Sequence, residues 1–486
     1  MSIPQTSAAV SARSAWPLYR TVLKHVEAHG IRYAVLRDRP SANPELKDLD
    51  LLVDPAQRKP CEGSLEEAGY LEIRGDTAPL KSVWIRYESA YLLTLDLHWA
   101  FVQDGLRYAC ASHALDRRRV EEGMFRLAPE DELAHLVIHT ALSRRPPPQE
   151  RVARIRELRA APMDRAALER IAADACGIGL FGEALSWLGT PALSTRHHAR
   201  IRRSFRRYLV TAEPGNAGRF LAAWLGRRLR RRRRGGLVAL VGPDGVGKST
   251  LIAAIENRGI ALGGLRLAKV YLGPWGCLET PWLPWLRRIG VTPVLEPWGK
   301  RLRARLQGMR AVKTQSPEPS LFHLLGKWSR AEFKGIVFYA AVWLELWWRY
   351  AAHVVPLVRR GTWVLGDRYI TDLRFLYKGN RMTNYAWLRR AATTLYPRPR
   401  LFVLLDQRAE VIQARKGGLS LEQIDGFRAA YRKALEGMPH VLLPTDLPPE
   451  ILADRVLSMV IRLWAGHAAP TAHRPNGREP APEISS

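Results

Sequence analysis

The chain of 486 residues is about three times the length of a typical domain and so holds more than one core. Its 47% hydrophobic and 25% charged residues exclude a disordered or fibrous protein. It carries 75 Lys and Arg against 46 Asp and Glu, a formal net charge of +29, which favours anionic partners such as nucleotides, nucleic acid or an anionic membrane surface. Cys61, Cys110, Cys176 and Cys277 stand far apart with no C-x-x-C pair, the N-terminus lacks the apolar core of a signal peptide, and no run of about 18 uncharged apolar residues occurs. A disulfide framework and a zinc site are therefore not indicated, no transmembrane segment is expected, and a cytoplasmic location is.

The hydrophobic pattern predicts a helix from about Ala15 to His29, strands at Tyr33 to Leu36 and Leu49 to Asp54, a helix, and two further strands at Val83 to Arg86 and Tyr91 to Trp99. In Asp48-Leu49-Asp50 two carboxylates stand at i and i+2, on one face of a strand, and Asp96 and His98 share a face of another. Three acidic groups converging from neighbouring strands suit a two-metal site for nucleotidyl transfer, so Asp48, Asp50 and Asp96 are candidate metal ligands. The pattern V-L-R…D-L-D-L-L-V followed by L-D-L-H-W resembles minimal nucleotidyltransferase-like proteins over about residues 15 to 140. Arg37-Asp38 stand where those proteins have a glycine pair for the triphosphate.

From Pro129 to about Leu225 apolar residues recur at helical spacing between Pro-rich breaks, which predicts a helical connector. It ends in seven arginines between Arg227 and Arg234, followed by Gly235-Gly236. So many like charges repel and stay solvated, either as an exposed linker or as a nucleic-acid-binding or phosphate-binding run.

An apolar strand, Leu237 to Val241, then enters G-x-x-x-x-G-K-S-T at Gly242 to Thr250 and continues into LIAAIEN at helical spacing. This strand, loop and helix order is what a phosphate-binding loop requires. Gly242, Gly245 and Gly247 allow successive backbone N–H groups to turn toward phosphate oxygens, Lys248 reaches the β- and γ-phosphates, and Ser249 offers a hydroxyl to Mg²⁺. Downstream, the strand Thr362 to Leu365 ends at Asp367-Arg368-Tyr369, and the strand Leu401 to Leu405 closes with Asp406. Arg415-Lys416 follow, and Ser420-Leu421-Glu422-Gln423 opens a helix that runs to about Tyr431.

This order resembles the thymidylate kinase family over about residues 237 to 463. The resemblance implies a doubly wound α/β domain that binds ATP and Mg²⁺ and passes the γ-phosphate to a nucleoside monophosphate. It implies that Gly242, Gly245, Gly247, Lys248, Ser249 and Thr250 hold ATP, that Ser249 and Asp367 serve the metal, and that Asp244 approaches the acceptor. Asp367 and Arg368 would sit between the two phosphates, with Arg415 and Lys416 in a mobile lid. The chain departs from that family at Lys269 to Gly276, which lacks the arginine that grips the acceptor phosphate. It departs again at Tyr339 to Trp343, at Lys378, and in a long insert, Trp282 to Phe333.

The apolar run Ile336 to Trp348 is interrupted by Glu345 and predicts a core helix in preference to an interfacial anchor. The expected organisation is an α/β domain at 1–128, the basic helical connector at 129–235, an α/β domain with a parallel sheet at 236–466 and a disordered tail at 467–486. The other readings are a kinase of a different hydroxyl- or phosphate-bearing small molecule, and a nucleic-acid-binding NTPase or regulator working through the arginine run. A homodimer is compatible with all of them.

Overall fold

The computed structural model describes residues 15–36, 48–74, 80–190, 193–229, 235–259, 265–274, 340, 342–374, 386–416 and 418–468. Arg37-Asp38, Arg230 to Arg234, the insert Trp282 to Phe333, Tyr339, Lys378 and the tail from 469 lie outside the described residues, as do the side chains of Arg227 and Lys416. The chain divides into two compact units, Met1–Arg231 and Arg232–Ser486.

In the first unit, helix α1 (Trp16–Ala28) leads into β1 (Tyr33–Val35) and β2 (Leu49–Val53). Helix α2 (Arg58–Glu67) precedes β3 (Leu71–Glu72), β4 (Lys81–Glu88) and β5 (Tyr91–His98). Three hairpin turns place two residues each at positive φ: Ser89-Ala90 (49° and 69°), Asp104-Gly105 (55° and 86°) and Glu122-Gly123 (54° and 74°). Such turns match the twist of the strands they join. They close β4 on β5, β6 (Phe101–Gln103) on β7 (Leu106–Ala109), and β8 (Arg119–Glu121) on β9 (Met124–Arg126). Ser89-Ala90 carries no glycine or asparagine to announce it.

The seven-stranded sheet runs β3-β4-β5-β2-β1-β9-β8. Strand alternation sorts its residues between two cores. Tyr33, Leu51, Trp84 and Leu95 join α1 and α2 on one face, whereas Ala34, Leu36 and Leu52 join the helices that follow on the other.

Those helices are α3 (Ala111–Asp116), α4 (Pro129–Leu142), α5 (Gln149–Ala160), α6 (Arg165–Cys176), α7 (Ile178–Gly189), α8 (Thr195–Ala212) and α9 (Pro214–Leu229). Helix α4 is buried on nearly every side, and its acidic first turn is neutralised by Arg117 on Asp131 and Arg154 on Glu132. The segment read above as a connector thus shares a core with the sheet it follows. Among the described residues no single helix is long and apolar enough to cross a membrane. Helices α6 and α7 are apolar enough only when taken together, and they are bent by 107° and contribute Cys176, Phe181 and Trp187 to the core.

The second unit is built on a five-stranded, all-parallel sheet in the order β11-β12-β10-β13-β14, from β10 (Leu237–Val241), β11 (Leu267–Tyr271), β12 (Trp363–Asp367), β13 (Leu401–Asp406) and β14 (His440–Pro444). Near-continuous apolar runs such as LVALV and LFVLL form its central strands because both faces are covered. The chain fills one side of β10 with β11 and β12 and then crosses to the other side for β13 and β14. Helix α10 (Lys248–Gly259) packs on the terminal helix Pro449–Trp464.

The apolar run that raised a membrane question is helical at 342–349, continues through a π-helical turn at Tyr350–Val354, and closes at Val355–Arg359. Val342 and Leu346 are in the core, a buried Arg349–Glu345 pair stands at 2.8 Å, and Trp347 meets Tyr350 and Tyr396 edge-on, while Leu344 and Trp348 face outward.

Ser420 caps the helix Leu421–Leu435, which runs one turn past Tyr431. Its hydroxyl accepts from Gln423 N at 3.2 Å while the Gln423 side chain accepts from Ser420 N at 3.0 Å. Ser420→Ala is expected to lower the unfolding free energy by about 1 kcal/mol. An unchanged urea midpoint would show that the cap adds no net stability.

Candidate functional site

Each unit carries its own cluster of candidate side chains. In the second unit the site forms where the sheet order reverses at β10, the place where parallel α/β sheets open a crevice at their strand ends. Gly242 leaves β10 at φ 145°, where a Cβ would come within 2.6 Å of the Leu405 carbonyl oxygen of β13, so only glycine lets the two strands lie this close. The loop then turns through Gly245 (φ 90°) and Gly247 (φ 102°) into α10.

A cavity of about 660 Å³ opens above the loop, lined by Asp244, Gly245, Gly247, Lys248, Ser249 and Thr250. Asp367 and Arg368 from the end of β12, Tyr271 from β11, Arg415, and Thr445 to Leu452 complete its wall. Gly242 lies at the root of the loop and does not line the cavity. Every other residue expected to hold ATP does, and so do Asp367, Arg368 and Arg415.

Lys248 is buried and folds back on its own loop, donating to the carbonyls of Gly242 at 2.7 Å and Pro243 at 2.8 Å. Burial, and secondarily the Arg368 guanidinium, pull its ammonium down to about 8 against the pull of Asp244, Asp372 and Asp367. Arg368 adopts φ 68°, which is unusual for a residue with a side chain. Its guanidinium spans two carboxylates, contacting Asp244 of the loop directly and donating to Asp372 at 3.0 Å. Burial opposes its charge, but Asp244 and Asp372 more than offset that and its pKa is raised.

Asp372 is 1% exposed and also accepts a hydrogen bond from Tyr431 at 2.8 Å, so it anchors Arg368 from behind. The sequence pattern places Tyr431 near the end of its helix but does not join it to Asp372, because that contact arises only from this packing. Asp367 stands at the end of β12 opposite Leu240 and Tyr271, with Lys269 Nζ 3.8 Å away. Asp406, by contrast, is held between Arg428 at 2.6 Å and Arg432 at 2.5 Å, which ties β13 to the helix Leu421–Leu435.

In the first unit, β2 and β5 are parallel neighbours with Asp50 opposite Asp96 and Leu52 opposite His98. Alternation turns Asp50, Asp96 and His98 to the same face as Leu52, the side on which the later helices pack. One ligand atom from each of the three lies within 4.8 Å of the others. His98 Nε2 is 3.3 Å from Asp50 Oδ1, and Lys81 Nζ reaches Asp96 Oδ2 at 2.5 Å. Burial is the main cause of a lowered His98 pKa, with the Lys81 charge acting in the same direction, which favours the neutral ring.

The expected trio is thus altered in detail. Asp48, just before β2, is exposed and is not part of this compact set, where His98 stands instead. Two carboxylates and a neutral imidazole are a donor set that fits a divalent cation. Lys81 is the protein's own cation at that position.

Residues 41–158 match a family described as an uncharacterised nucleotidyltransferase. The matched stretch contains Asp48, Asp50, Asp96 and His98 and reaches into α5, so the first unit holds a nucleotidyltransferase-like domain. No curated protein matches the chain.

Proposed function

We propose that the second unit is a phosphotransferase of the thymidylate kinase type, binding ATP with Mg²⁺ and passing the γ-phosphate to a small acceptor, with a nucleoside monophosphate as the first candidate. The observation that carries this reading is the convergence of Lys248, Arg368 and Arg415 with the glycine loop and the start of α10 on one cavity. Phosphoryl transfer through a loose transition state needs this kind of positioned positive charge more than it needs a nucleophile. Ser249 and Asp367 both line the cavity and offer the oxygen donors that Mg²⁺ prefers. The bound ion would neutralise charge on the transferring group, Lys248 would leave its loop carbonyls for phosphate oxygens, and Arg368 would reach the phosphates from its seat between Asp244 and Asp372. ADP release should be stimulated by a nucleoside monophosphate in a screen against monophosphates, other small hydroxyl-bearing molecules and nucleic acid. Stimulation by nucleic acid alone, with steep salt dependence, would defeat the kinase reading.

A second reading belongs to the first unit and rests on the Asp50, Asp96 and His98 cluster within the matched nucleotidyltransferase region. We infer a divalent-cation site there that serves nucleotidyl transfer. Asp50, Asp96 and His98 would hold the ion in place of the Lys81 contact, so Mg²⁺ or Mn²⁺ should raise the melting temperature of the full chain, and Asp50→Asn should abolish that shift without unfolding the protein. If wild type shows no metal-dependent shift and no transfer from any NTP, the domain serves binding or assembly instead.

A further inference from the structure

On the opposite side of the first unit's sheet, His25 and His29 stand one turn apart near the end of α1, with ring centroids 4.5 Å apart. Glu67, the last residue of α2, faces them. One ligand atom from each of the three lies within 4.8 Å of the others, and His29 and Glu67 are exposed to solvent.

The hydrogen bonds around the two rings fix their tautomers. His25 Nε2–H donates to the Ser64 carbonyl at 2.9 Å, and His29 Nδ1–H donates to the His25 carbonyl at 2.9 Å. Each neutral ring therefore keeps one nitrogen lone pair, on Nδ1 of His25 and on Nε2 of His29. The Nε2 of His29 stands 3.1 Å from Glu67 Oε2. Two acceptors at that distance repel each other unless a cation, either a proton or a metal ion, lies between them. Backbone carbonyls holding the far N–H of each imidazole are the outer partners that metal-binding histidines have, and they cost nothing further to arrange here.

We propose that His25, His29 and Glu67 form a solvent-open site for a borderline divalent transition metal of the Zn²⁺, Ni²⁺ or Cu²⁺ class, which fastens the end of α1 to the end of α2. Two nitrogen donors and one carboxylate favour that class over Mg²⁺, and water completes the coordination. The site is independent of both readings above, since Tyr19, Val22 and Val26 of α1 and Leu65 of α2 pack on the sheet face away from Asp50, Asp96 and His98.

The test is calorimetric titration of the untagged, metal-stripped full chain with ZnCl₂ and with MgCl₂, in wild type, Asp50→Asn, His29→Ala and Glu67→Gln. A Zn²⁺ equivalent should persist in Asp50→Asn and weaken by about 100-fold or more in His29→Ala. Glu67→Gln, which keeps the side chain's volume, should also weaken it while leaving circular dichroism unchanged. Co²⁺ bound in place of Zn²⁺ should give a visible absorption band that is lost in His29→Ala. Unaltered Zn²⁺ binding in His29→Ala and Glu67→Gln, loss of all binding in Asp50→Asn, equal competition by Mg²⁺, or no Zn²⁺ bound to wild type would each overturn the site. The last result would leave a proton as the cation between His29 and Glu67.

Discussion

Lys248→Ala is expected to slow ATP-dependent ADP release by about 10³-fold, equivalent to about 4 kcal/mol of transition-state stabilisation. The lysine is the deepest cation at the cavity, and no other side chain of the loop carries a positive charge. A variant with unchanged turnover would show that this loop is not the working site. Stability gives an independent check with a definite sign. Because burial lowers the lysine to about 8 from its ordinary 10.5, the folded protein releases that proton between about pH 8 and 10.5 while the unfolded chain keeps it. The unfolded state then binds more protons, so the wild type gains stability as pH rises through this window and carries a penalty below it. Lys248→Ala removes the group, and its urea midpoint, compared with wild type from pH 7 to 10.5, should lack that rise. An identical pH dependence in the two proteins would show that the ammonium is not buried as described.

Arg368→Ala is expected to cost the same reaction about 10²- to 10³-fold and to lower stability by about 2 kcal/mol, because Asp372 would lose its cation in a buried position. The stability figure stays modest because Asp372 keeps its hydrogen bond from Tyr431 and Arg368 retains some contact with solvent. Arg368→Gly separates backbone from charge. At φ 68° a glycine is unstrained, so this variant should be about 1 kcal/mol more stable than Arg368→Ala and no more active. If Gly and Ala variants melt alike, the positive φ carries no strain. If either keeps full activity, Arg368 has no part in the transfer.

Much of both sites could be read from local pattern because local chemistry dictates it. A loop that must wrap a phosphate needs glycines where backbone N–H groups point inward, and it needs a lysine at the start of the helix. Gly242 to Thr250 therefore stand out in the sequence, and the cavity opens on them. The strands β10, β12 and β13 were equally legible, since a strand buried on both faces is a short continuous apolar run. Period-2 alternation was enough to put Asp96 and His98 on one face of β5.

Alternation within a strand says nothing about which strands become neighbours. The pairing of β2 with β5 in parallel, Asp50 opposite Asp96, was decided only by the fold, and with it the entry of His98 and Lys81 into the cluster while Asp48 stayed outside. The hairpin at Ser89-Ala90 was likewise invisible, because two ordinary residues are forced to positive φ by the pairing of β4 with β5. Asp372 and Tyr431, 59 residues apart, meet only because their elements pack beside the same strand ends. The helices at 129–229 read as a connector because an amphipathic stripe does not name its partner, and that partner proved to be the face of the preceding sheet that carries Ala34, Leu36 and Leu52. The sequence alone marked the glycine-rich loop Gly242 to Thr250 and the strand carboxylates, since those patterns are complete within a few residues. Tertiary structure decided which of those groups stand together, because that depends on strand order and helix packing across long separations.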